Sequence, residues 1–320
     1  MDIYFAGIPN VDFLKYYYEN SKHHKINVML SYYSLNGKVI ETIKEYAPYV
    51  HKFMLDSGAY SAFSADSKIV GKLIKLYPDY LERHKSELED YCKDGSLEAV
   101  FTLDYKRGED DKSRLDNLEM YQDIIKVYEN ITPVIHRISN ENIELDNYEK
   151  YKPKMIAIGQ NIDRLKENKR HLLINTVNRI KKNAKCHLLG ITNYEILDAV
   201  YNIDSCDSTS WNDYAYTGKV LFNYLDKNEF KEITLYCAEY ENIKPKGNEV
   251  AFDDLEQKLR EKFLGDMNKN YSLVKDDFLN KNDYRARQIA NIHYELQKIA
   301  YINNKHNPTL QKSLKESNPE

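Results

Sequence analysis

Three segments of the sequence that have the character of β-strands end in an aspartate, and these are Asp56, Asp104 and Asp207. Carboxylates act as nucleophiles and as general acids or bases, so several of them at one site suit a reaction that needs both roles. Apolar residues on the strand side would bury each carboxyl in part, and burial raises a carboxyl pKa towards neutrality. Each aspartate also has a structural alternative, because an aspartate between a strand and a helix often caps the helix.

The segments that would carry these carboxylates recur along the first part of the chain, with amphipathic helical stretches between them. Seven apolar segments are residues 3–7, 26–30, 53–56, 99–104, 133–136, 155–159 and 187–190, and the eighth candidate, residues 203–207, is shorter and more polar. Alternating strands and helices require parallel pairing, because each helix returns the chain across the sheet. We therefore predict an α/β fold, a (β/α)8 TIM-type barrel, in which all strand C-termini open on one face. An open, doubly wound sheet is the alternative, but no glycine-rich phosphate-binding loop follows the first strand.

The pattern of the sequence changes towards the C-terminus. We predict a catalytic barrel domain over residues 1–240, a helical appendage over residues 241–302 and a flexible tail over residues 303–320. The appendage has the polar, periodic pattern of two or three helices, and the tail is rich in Asn, Lys, Pro and Ser. The appendage is either a separate contact element or a cap over one end of the barrel.

The composition is that of an ordinary globular protein. The 320 residues carry 46 basic and 50 acidic side chains, and 42% are hydrophobic, which excludes a disordered chain. No stretch approaches the apolar length of a membrane span, and the first residues lack the pattern of a signal peptide. The four cysteines and nine histidines show no metal-binding or disulfide spacing. We therefore expect a cytoplasmic protein without metal, cofactor or membrane partner.

Four short stretches resemble motifs of the tRNA-guanine transglycosylases. Residues 56–64 are similar to the family's D-S-G-G-[YF]-Q-x-x-S, with matches at Asp56, Ser57, Gly58, Tyr60 and Ser64 and departures at Ala59 and Ser61. Residues 188–207 resemble L-M-G-V-G…E-x-L-x-A-V…D-M-F-D, and residues 156–160 resemble L-A-V-G-E. Asp104 falls where the family carries its base-reading aspartate. The four stretches stand in the family's order along the predicted strands.

The resemblance implies base exchange, in which a pentosyltransferase replaces a guanine in a nucleic acid by a free 7-deazaguanine. Asp207 would be the nucleophile that attacks the sugar C1′, and Asp56 would exchange protons with the leaving and incoming bases. Asp104 would accept hydrogen bonds from the guanine edge. The further base-binding residues that the resemblance implies are Tyr60, His136, Gly159, Gln160, Leu189 and Gly190. The chemistry agrees, because a departing guanine leaves an oxocarbenium-like sugar that a close carboxylate captures.

The sequence departs from the tRNA-type members of the family. Residues 211–216, after the proposed nucleophile, contain none of the clustered cysteines of the family's zinc site. The pattern more closely resembles the zinc-free branch, often encoded by phages, that places 7-deazaguanines in DNA. His136 stands where the family usually has glutamine, and Gln160 replaces a glutamate that can pair with a cationic aminomethyl group. We expect DNA as the preferred polymer, tRNA as the alternative, and a neutral incoming base such as guanine or 7-cyano-7-deazaguanine.

A strongly basic stretch lies in residues 161–185, although the net charge of the whole chain is −4. Basic side chains on one helix can contact the phosphates of a nucleic acid. The candidate nucleic-acid-binding residues are Arg164, Lys169, Arg170, Lys181 and Lys182. A solvated outer face of a barrel helix explains the same pattern equally well.

Two other classes of function stay open on the sequence. An N-glycosidase acting on nucleosides or nucleic acids would use the same carboxylates, with water resolving the intermediate. A non-catalytic barrel that binds nucleic acid or a partner protein would need none of the carboxylates. Loss of function on replacing Asp207 separates the enzymes from the pure binder.

Overall fold

The computed structural model describes residues 1–59, 61–62, 67–105, 110–139, 142–159, 170–237 and 249–307. The chain forms two compact units, of which the first comprises residues 1–7 and 26–208 and the second residues 8–25 and 209–320. This division after residue 208 lies ahead of the predicted domain boundary at residue 240. The three candidate carboxylates all belong to the first unit.

The first unit is built on a ring of parallel strands. These are β1 (Asp2–Ala6), β2 (Ile26–Ser31), β3 (Val50–Asp56), β4 (Leu97–Phe101), β5 (Ile131–Thr132), β6 (Val134–Ile135), β7 (Met155–Ile158), β8 (Lys185–Leu188) and β9 (Ser205–Ser208). Their order is β5-β4-β3-β2-β1-β9-β8-β7-β6, so the first and last strands of the unit are neighbours. Strands β7, β8 and β9 are buried at nearly every position, as expected of a parallel sheet that is covered on both faces.

The ring closes at Pro133, the residue between β5 and β6. On one side the backbone N–H of Thr102 donates to the carbonyl of Thr132, and on the other the N–H of Ala157 donates to the carbonyl of Pro133. Proline has no N–H of its own, which is why one continuous extended segment is divided into two short strands. The nine strands therefore occupy eight positions around the ring, and the predicted (β/α)8 barrel is confirmed.

Helices follow most of the strands and precede the next. In chain order the described helices are α1 (Val11–Asn20), α2 (Val39–Tyr46), α3 (Ser67–Arg83), α4 (Lys85–Lys93), α5 (Asp111–Val127), α6 (Ile143–Tyr148), α7 (Arg170–Ile180), α8 (Tyr194–Ala199), α9 (Ser210–Tyr216), α10 (Gln257–Tyr271), α11 (Lys275–Leu279) and α12 (Arg285–His306). Helices α2 to α8 belong to the first unit and cover the barrel. Side-chain caps fix several of the starts, such as Asp110 before α5 and Asn142 before α6.

A hydrophobic cluster drawn from several strands fills the inside of the barrel. Its buried members are Tyr4, Met29, Met54, Ala99, Phe101, Val134, Met155 and Ala157, with Ala6 and Leu189 packed against them. Residues at alternate positions of different strands meet in this cluster, which is the layered packing of a barrel interior. The cluster forms an apolar floor beneath the strand C-termini.

The second unit combines helices with a small sheet. Strands β10 (Lys219–Asp226) and β11 (Glu229–Tyr236) form an antiparallel hairpin, and β12 (Glu249–Ala251) pairs parallel to β11. Lys227 and Asn228 both have positive φ at the hairpin turn, a backbone geometry that asparagine tolerates well. The expected C-terminal helices are present, but the sheet was not predicted, and β10 and β11 fall in residues that we assigned to the barrel.

The C-terminal helix α12 extends to His306, so the first residues of the predicted flexible tail are helical. The remainder of that tail, residues 308–320, lies outside the described residues. None of the helices among the described residues combines the length and the apolar character that crossing a membrane requires.

Candidate active site

The three aspartates lie at the carboxyl ends of parallel strands in the first unit. Asp56 is the last residue of β3, Asp207 lies on β9, and Asp104 follows the end of β4. Because parallel strands of a barrel end on one face, the carboxyl groups share one mouth. Their electrostatic coupling shows the proximity directly, since the charges of both Asp104 and Asp207 raise the pKa of Asp56.

The carboxyl of Asp56 titrates near neutral pH. Burial is the largest cause and the negative charge of Asp104 is the next, and together they raise the pKa of Asp56 to about 7. The backbone N–H of Gly58 donates to Oδ2 at 2.8 Å and offsets part of this rise. A carboxyl group that is protonated and ionised in similar amounts at neutral pH is suited to giving and taking protons.

Gly58 is required for the turn that holds Asp56. Its φ is +80°, a left-handed conformation that favours glycine, and a Cβ at this position would lie 2.4 Å from Cβ of Tyr33 and 2.6 Å from Oγ of Ser31. The close approach arises because Ser31 at the end of β2 is the register partner of Asp56. The turn therefore has both a backbone and a packing reason for a glycine.

The carboxylate of Asp207 is held through one of its two oxygens. Oδ1 accepts a 2.8 Å hydrogen bond from the backbone N–H of Gly190 and lies 3.2 Å from Nε2 of His187. On the other side of that ring, Nδ1 of His187 lies 2.8 Å from Oγ of Ser205. An ionised carboxylate only accepts hydrogen bonds, so the proton of a neutral His187 belongs on Nε2, and the Ser205 hydroxyl then donates to Nδ1.

Strand geometry explains this arrangement. Ser205 and Asp207 are two positions apart on β9 and therefore point to the same face, while His187 on β8 is the register partner of Ser205. His187 is fully buried, and its ring packs against Phe101 at a centroid distance of 5.2 Å. The barrel interior thus fixes the histidine, and the histidine fixes the orientation of the Asp207 carboxylate.

Asp104 forms a second buried group with His136 and Glu144. Nε2 of His136 lies 2.9 Å from Oδ2 of Asp104, and Nδ1 lies 3.2 Å from Oε1 of Glu144. Burial by itself lowers the pKa of His136, but the hydrogen bonds and charges of the two carboxylates outweigh burial and raise it to about 9. His136 is therefore a cation at neutral pH, held between two carboxylates. Both of its ring nitrogens are therefore engaged by carboxylate oxygens.

Gly159 and Leu189 lie beside this group at the floor of the mouth. The N–H of Leu189 donates to the carbonyl of Ile158 at 2.9 Å, which continues the pairing of β7 and β8, and its side chain packs on the hydrophobic cluster. A Cβ on Gly159 would approach Cγ1 of Val134 to 2.9 Å and Cδ1 of Leu189 to 3.5 Å. Gly159 therefore leaves room for Val134, whereas Gly190 directs its N–H to Asp207 rather than into the mouth.

Several residues of the predicted site lie outside the described residues. These are Tyr60, Gln160, Arg164 and Lys169.

The basic residues that are described lie at both ends of the barrel, with Arg170 at the start of α7 and Lys181 and Lys182 after its end. Arg170 pairs with Glu195 on α8. Nζ of Lys181 lies 2.6 Å from Oδ2 of Asp204, which precedes β9. Lys181 and Lys182 follow α7, where the chain has returned to the amino-terminal ends of the strands. They are therefore at the opposite end of the barrel from Asp207, and the structure does not bring them together with the three aspartates.

Sequence reasoning missed Glu144 as a site residue and assigned His187 no functional position. The alternation of side chains along β9 could have placed Ser205 beside Asp207. No sequence pattern indicates Glu144, because its contacts to His136 depend on where the start of α6 lies. Among the described residues, no group of three or more His, Cys, Asp or Glu side chains has an arrangement that could hold a metal ion.

The amino-acid sequence matches no family model and no curated protein.

Proposed function

We propose that the protein is a base-exchanging pentosyltransferase that replaces a guanine in a nucleic acid by a free 7-deazaguanine. The observation that carries the proposal is the position of Asp56, whose pKa is near neutrality, beside two other carboxylates at one barrel mouth. The reaction needs a nucleophile, a proton-transfer group and a receptor for the base edge, and the three aspartates supply one group for each need.

Asp207 is the proposed nucleophile. Its Oδ1 is held by Gly190 and faces His187, and Oδ2 attacks C1′ of the target nucleotide. A bond forms between Oδ2 and C1′ while the bond from C1′ to the guanine nitrogen breaks, and the electron pair leaves with the base. Holding the carboxylate in one orientation removes part of the entropic cost of reaching the transition state.

Asp56 moves the proton in both halves of the exchange. In its neutral form it protonates the departing guanine, and in its ionised form it takes a proton from the incoming base. The nitrogen of the incoming base then bonds to C1′ and releases the Asp207 carboxylate. A pKa of about 7 provides both forms of Asp56 at neutral pH.

Asp104 is the proposed receptor for the base edge. Guanine and 7-deazaguanine present two neighbouring N–H donors, at N1 and at the 2-amino group, and a carboxylate accepts both. Leu189 and the apolar floor beneath it provide a surface for one face of the ring. The mouth therefore suits a planar base with a donor edge.

We propose DNA as the polymer because the segment after Asp207 carries no cluster of zinc-binding cysteines. A target base in a duplex has to leave the stack before its sugar reaches a carboxylate inside a barrel mouth. Single-stranded and duplex DNA are therefore both informative substrates, and tRNA is the alternative polymer.

The experiment incubates the purified protein with radiolabelled guanine and, separately, with duplex DNA, single-stranded DNA and bulk tRNA. Asp207→Asn is assayed in parallel, and Asp123→Asn on the exposed face of α5 is the matched control. We expect label to enter DNA with the wild type and the control but not with Asp207→Asn. Label in tRNA alone would change the polymer, whereas release of guanine without uptake of label would indicate hydrolysis and contradict base exchange.

A further inference from the structure

Asp104 belongs to a hydrogen-bonded triad of side chains that also contains His136 and Glu144. His136 connects Asp104 to Glu144, at 2.9 Å on one side of the ring and 3.2 Å on the other. The second oxygen of Glu144, Oε2, accepts the backbone N–H groups of His136 and Arg137, each at 3.0 Å. Both oxygens of Glu144 therefore have partners, and its side chain cannot turn away from His136 without losing them.

Two of the three side chains in this triad are shielded from water. The side chains of His136 and Glu144 are 1% and 6% exposed, whereas that of Asp104 is 24% exposed. Glu144 is fixed further by its place at the start of α6, where Asn142 caps the helix and donates to the carbonyl of Arg137. Asp104 is the solvent-exposed member of the triad and faces the mouth.

Charge balance determines where the protons lie. The buried carboxylate of Glu144 and the partly exposed one of Asp104 would be two uncompensated negative charges beside a neutral imidazole, and a protonated imidazole compensates one of them. The raised pKa of His136 agrees with this balance. Tyr148 is the other titratable side chain that senses both carboxylates, and burial together with the charges of Glu144 and Asp104 raises its pKa, so it stays neutral.

We propose that Glu144 and His136 are positioning residues that hold Asp104 as an ionised double acceptor and thereby select purines with a 2-amino-6-oxo edge. The selection rests on the proposed function, since it concerns the base that this site would exchange. The N–H of His136 occupies one lone pair of Oδ2 and places a positive charge beside the Asp104 carboxylate. The two carboxylate oxygens then receive the two N–H donors of the base.

The same arrangement rejects a 6-aminopurine. Such a base presents a lone pair at N1 beside a single N–H donor, so it would match Asp104 only if the carboxyl carried a proton. A cationic His136 opposes that protonation. Discrimination therefore originates in Glu144, which does not touch the base, and it is lost when the charge of Glu144 is removed.

The first test measures the charge of His136 without using activity. Protein labelled with ¹⁵N in its histidine rings is examined by NMR at pH 7.5 and titrated to high pH, with His136→Gln assigning the signals. We expect both ring nitrogens to be protonated at pH 7.5, and the titration midpoint to fall in Glu144→Gln but not in Asp146→Asn. Asp146 lies on the same helix but pairs with Arg179, so it is the matched control. A neutral His136 in the wild type overturns the proposal.

The second test measures binding of 7-deazaguanine and 7-deazaadenine, which differ at the edge that Asp104 would read. We expect Glu144→Gln to weaken binding of 7-deazaguanine about tenfold or more, because loss of the Glu144 charge weakens the charge-assisted hydrogen bonds between Asp104 and the base, and to reduce discrimination against 7-deazaadenine. Asp146→Asn should match the wild type. Unchanged discrimination in Glu144→Gln, or no binding of either base, would contradict the proposal that Glu144 and His136 set the selectivity of Asp104. Selective binding without base exchange in any polymer would contradict the proposed function and leave this inference standing.

Discussion

The backbone N–H of Gly190 donates a 2.8 Å hydrogen bond to Oδ1 of Asp207, and this bond links the loop after β8 to the carboxylate on β9. Gly190 has a φ of +68°, a left-handed conformation that turns the N–H back towards the strand. The same oxygen faces Nε2 of His187 at 3.2 Å. Backbone and side chain therefore hold the proposed nucleophile from one side, and the orientation is built into the fold before any ligand binds.

Replacement by alanine should lower the unfolding free energy by different amounts at Gly190 and Gly58, two glycines at the mouth. Gly190→Ala should cost about 1 kcal/mol of unfolding free energy, because its φ is positive but no atom lies within 4 Å of the added Cβ. Gly58→Ala should cost clearly more, above about 2 kcal/mol, since its Cβ would overlap Tyr33 and Ser31. Urea denaturation of both variants gives the comparison. Equal costs, or a milder effect at Gly58, would contradict the described turns.

Ser205→Ala should reduce kcat about tenfold and leave KM for the base nearly unchanged. The Ser205 hydroxyl lies 2.8 Å from Nδ1 of His187 and keeps the ring proton on Nε2, where it faces Asp207. Without that hydroxyl the imidazole can place its proton on Nδ1, and Asp207 loses a donor while base binding continues. Steady-state kinetics with labelled guanine measures both constants. A rise in KM with constant kcat would assign Ser205 to base binding instead.

The pH dependence of the exchange rate should report the titration of Asp56. Because the pKa of Asp56 is about 7, the wild-type rate should change slope near that pH. Asp56→Asn should remove this inflection and reduce the rate by about 10²- to 10⁴-fold, the usual contribution of a general acid or base. A pH-rate profile from about pH 5 to pH 9 tests both points. Persistence of the inflection in Asp56→Asn would assign it to another group.

The same carboxyl should make the fold less stable at high pH. The pKa of Asp56 is raised to about 7 in the folded protein, whereas an unfolded aspartate titrates near about 4. The folded state therefore binds this proton more tightly, and the resulting stabilisation is present at low pH and lost as the pH rises through about 7. At pH 8, Asp56→Asn should raise the unfolding free energy by at least about 2 kcal/mol, with little change at pH 4.

Thermal and urea denaturation at the two pH values provide the measurement for Asp56→Asn. Asp123→Asn, which removes an exposed carboxylate on α5, should alter stability little at either pH. A loss of stability in Asp56→Asn at pH 8 would show that the carboxylate is stabilised in the fold, contrary to its raised pKa.

The barrel could be predicted from the sequence because parallel buried strands leave a strong signal. Apolar segments that end before a polar turn locate β3 and β4, a shorter and more polar segment locates β9, and the barrel geometry then brings Asp56, Asp104 and Asp207 to one mouth. That step needs only the order of the elements, since every strand of a parallel barrel ends on the same face. The order of the elements does not predict the contacts that set the charges of these carboxylates.

Glu144 shows why the second layer of the site escaped sequence reasoning. Its contacts to His136 depend on where the start of α6 lies relative to the end of β6, and no spacing rule relates the two residues. The sheet of the second unit did carry a signal, because two β-rich segments flank the Lys227–Asn228 turn, and this signal was overlooked. The number of basic residues in 161–185 does not tell which end of the barrel each one occupies. The chain direction places Lys181 at the amino-terminal ends of the strands, opposite the mouth.

The covalent intermediate on Asp207 is the central claim, and intact-protein mass spectrometry tests it most directly. The protein is mixed with an excess of a guanine-containing DNA oligonucleotide without added base, denatured and weighed, and the adduct is mapped by proteolysis. The account predicts a species heavier by the oligonucleotide less one guanine, linked at Asp207, present in Asp123→Asn and absent in Asp207→Asn. Release of guanine with no adduct, or an adduct at another residue, would contradict it.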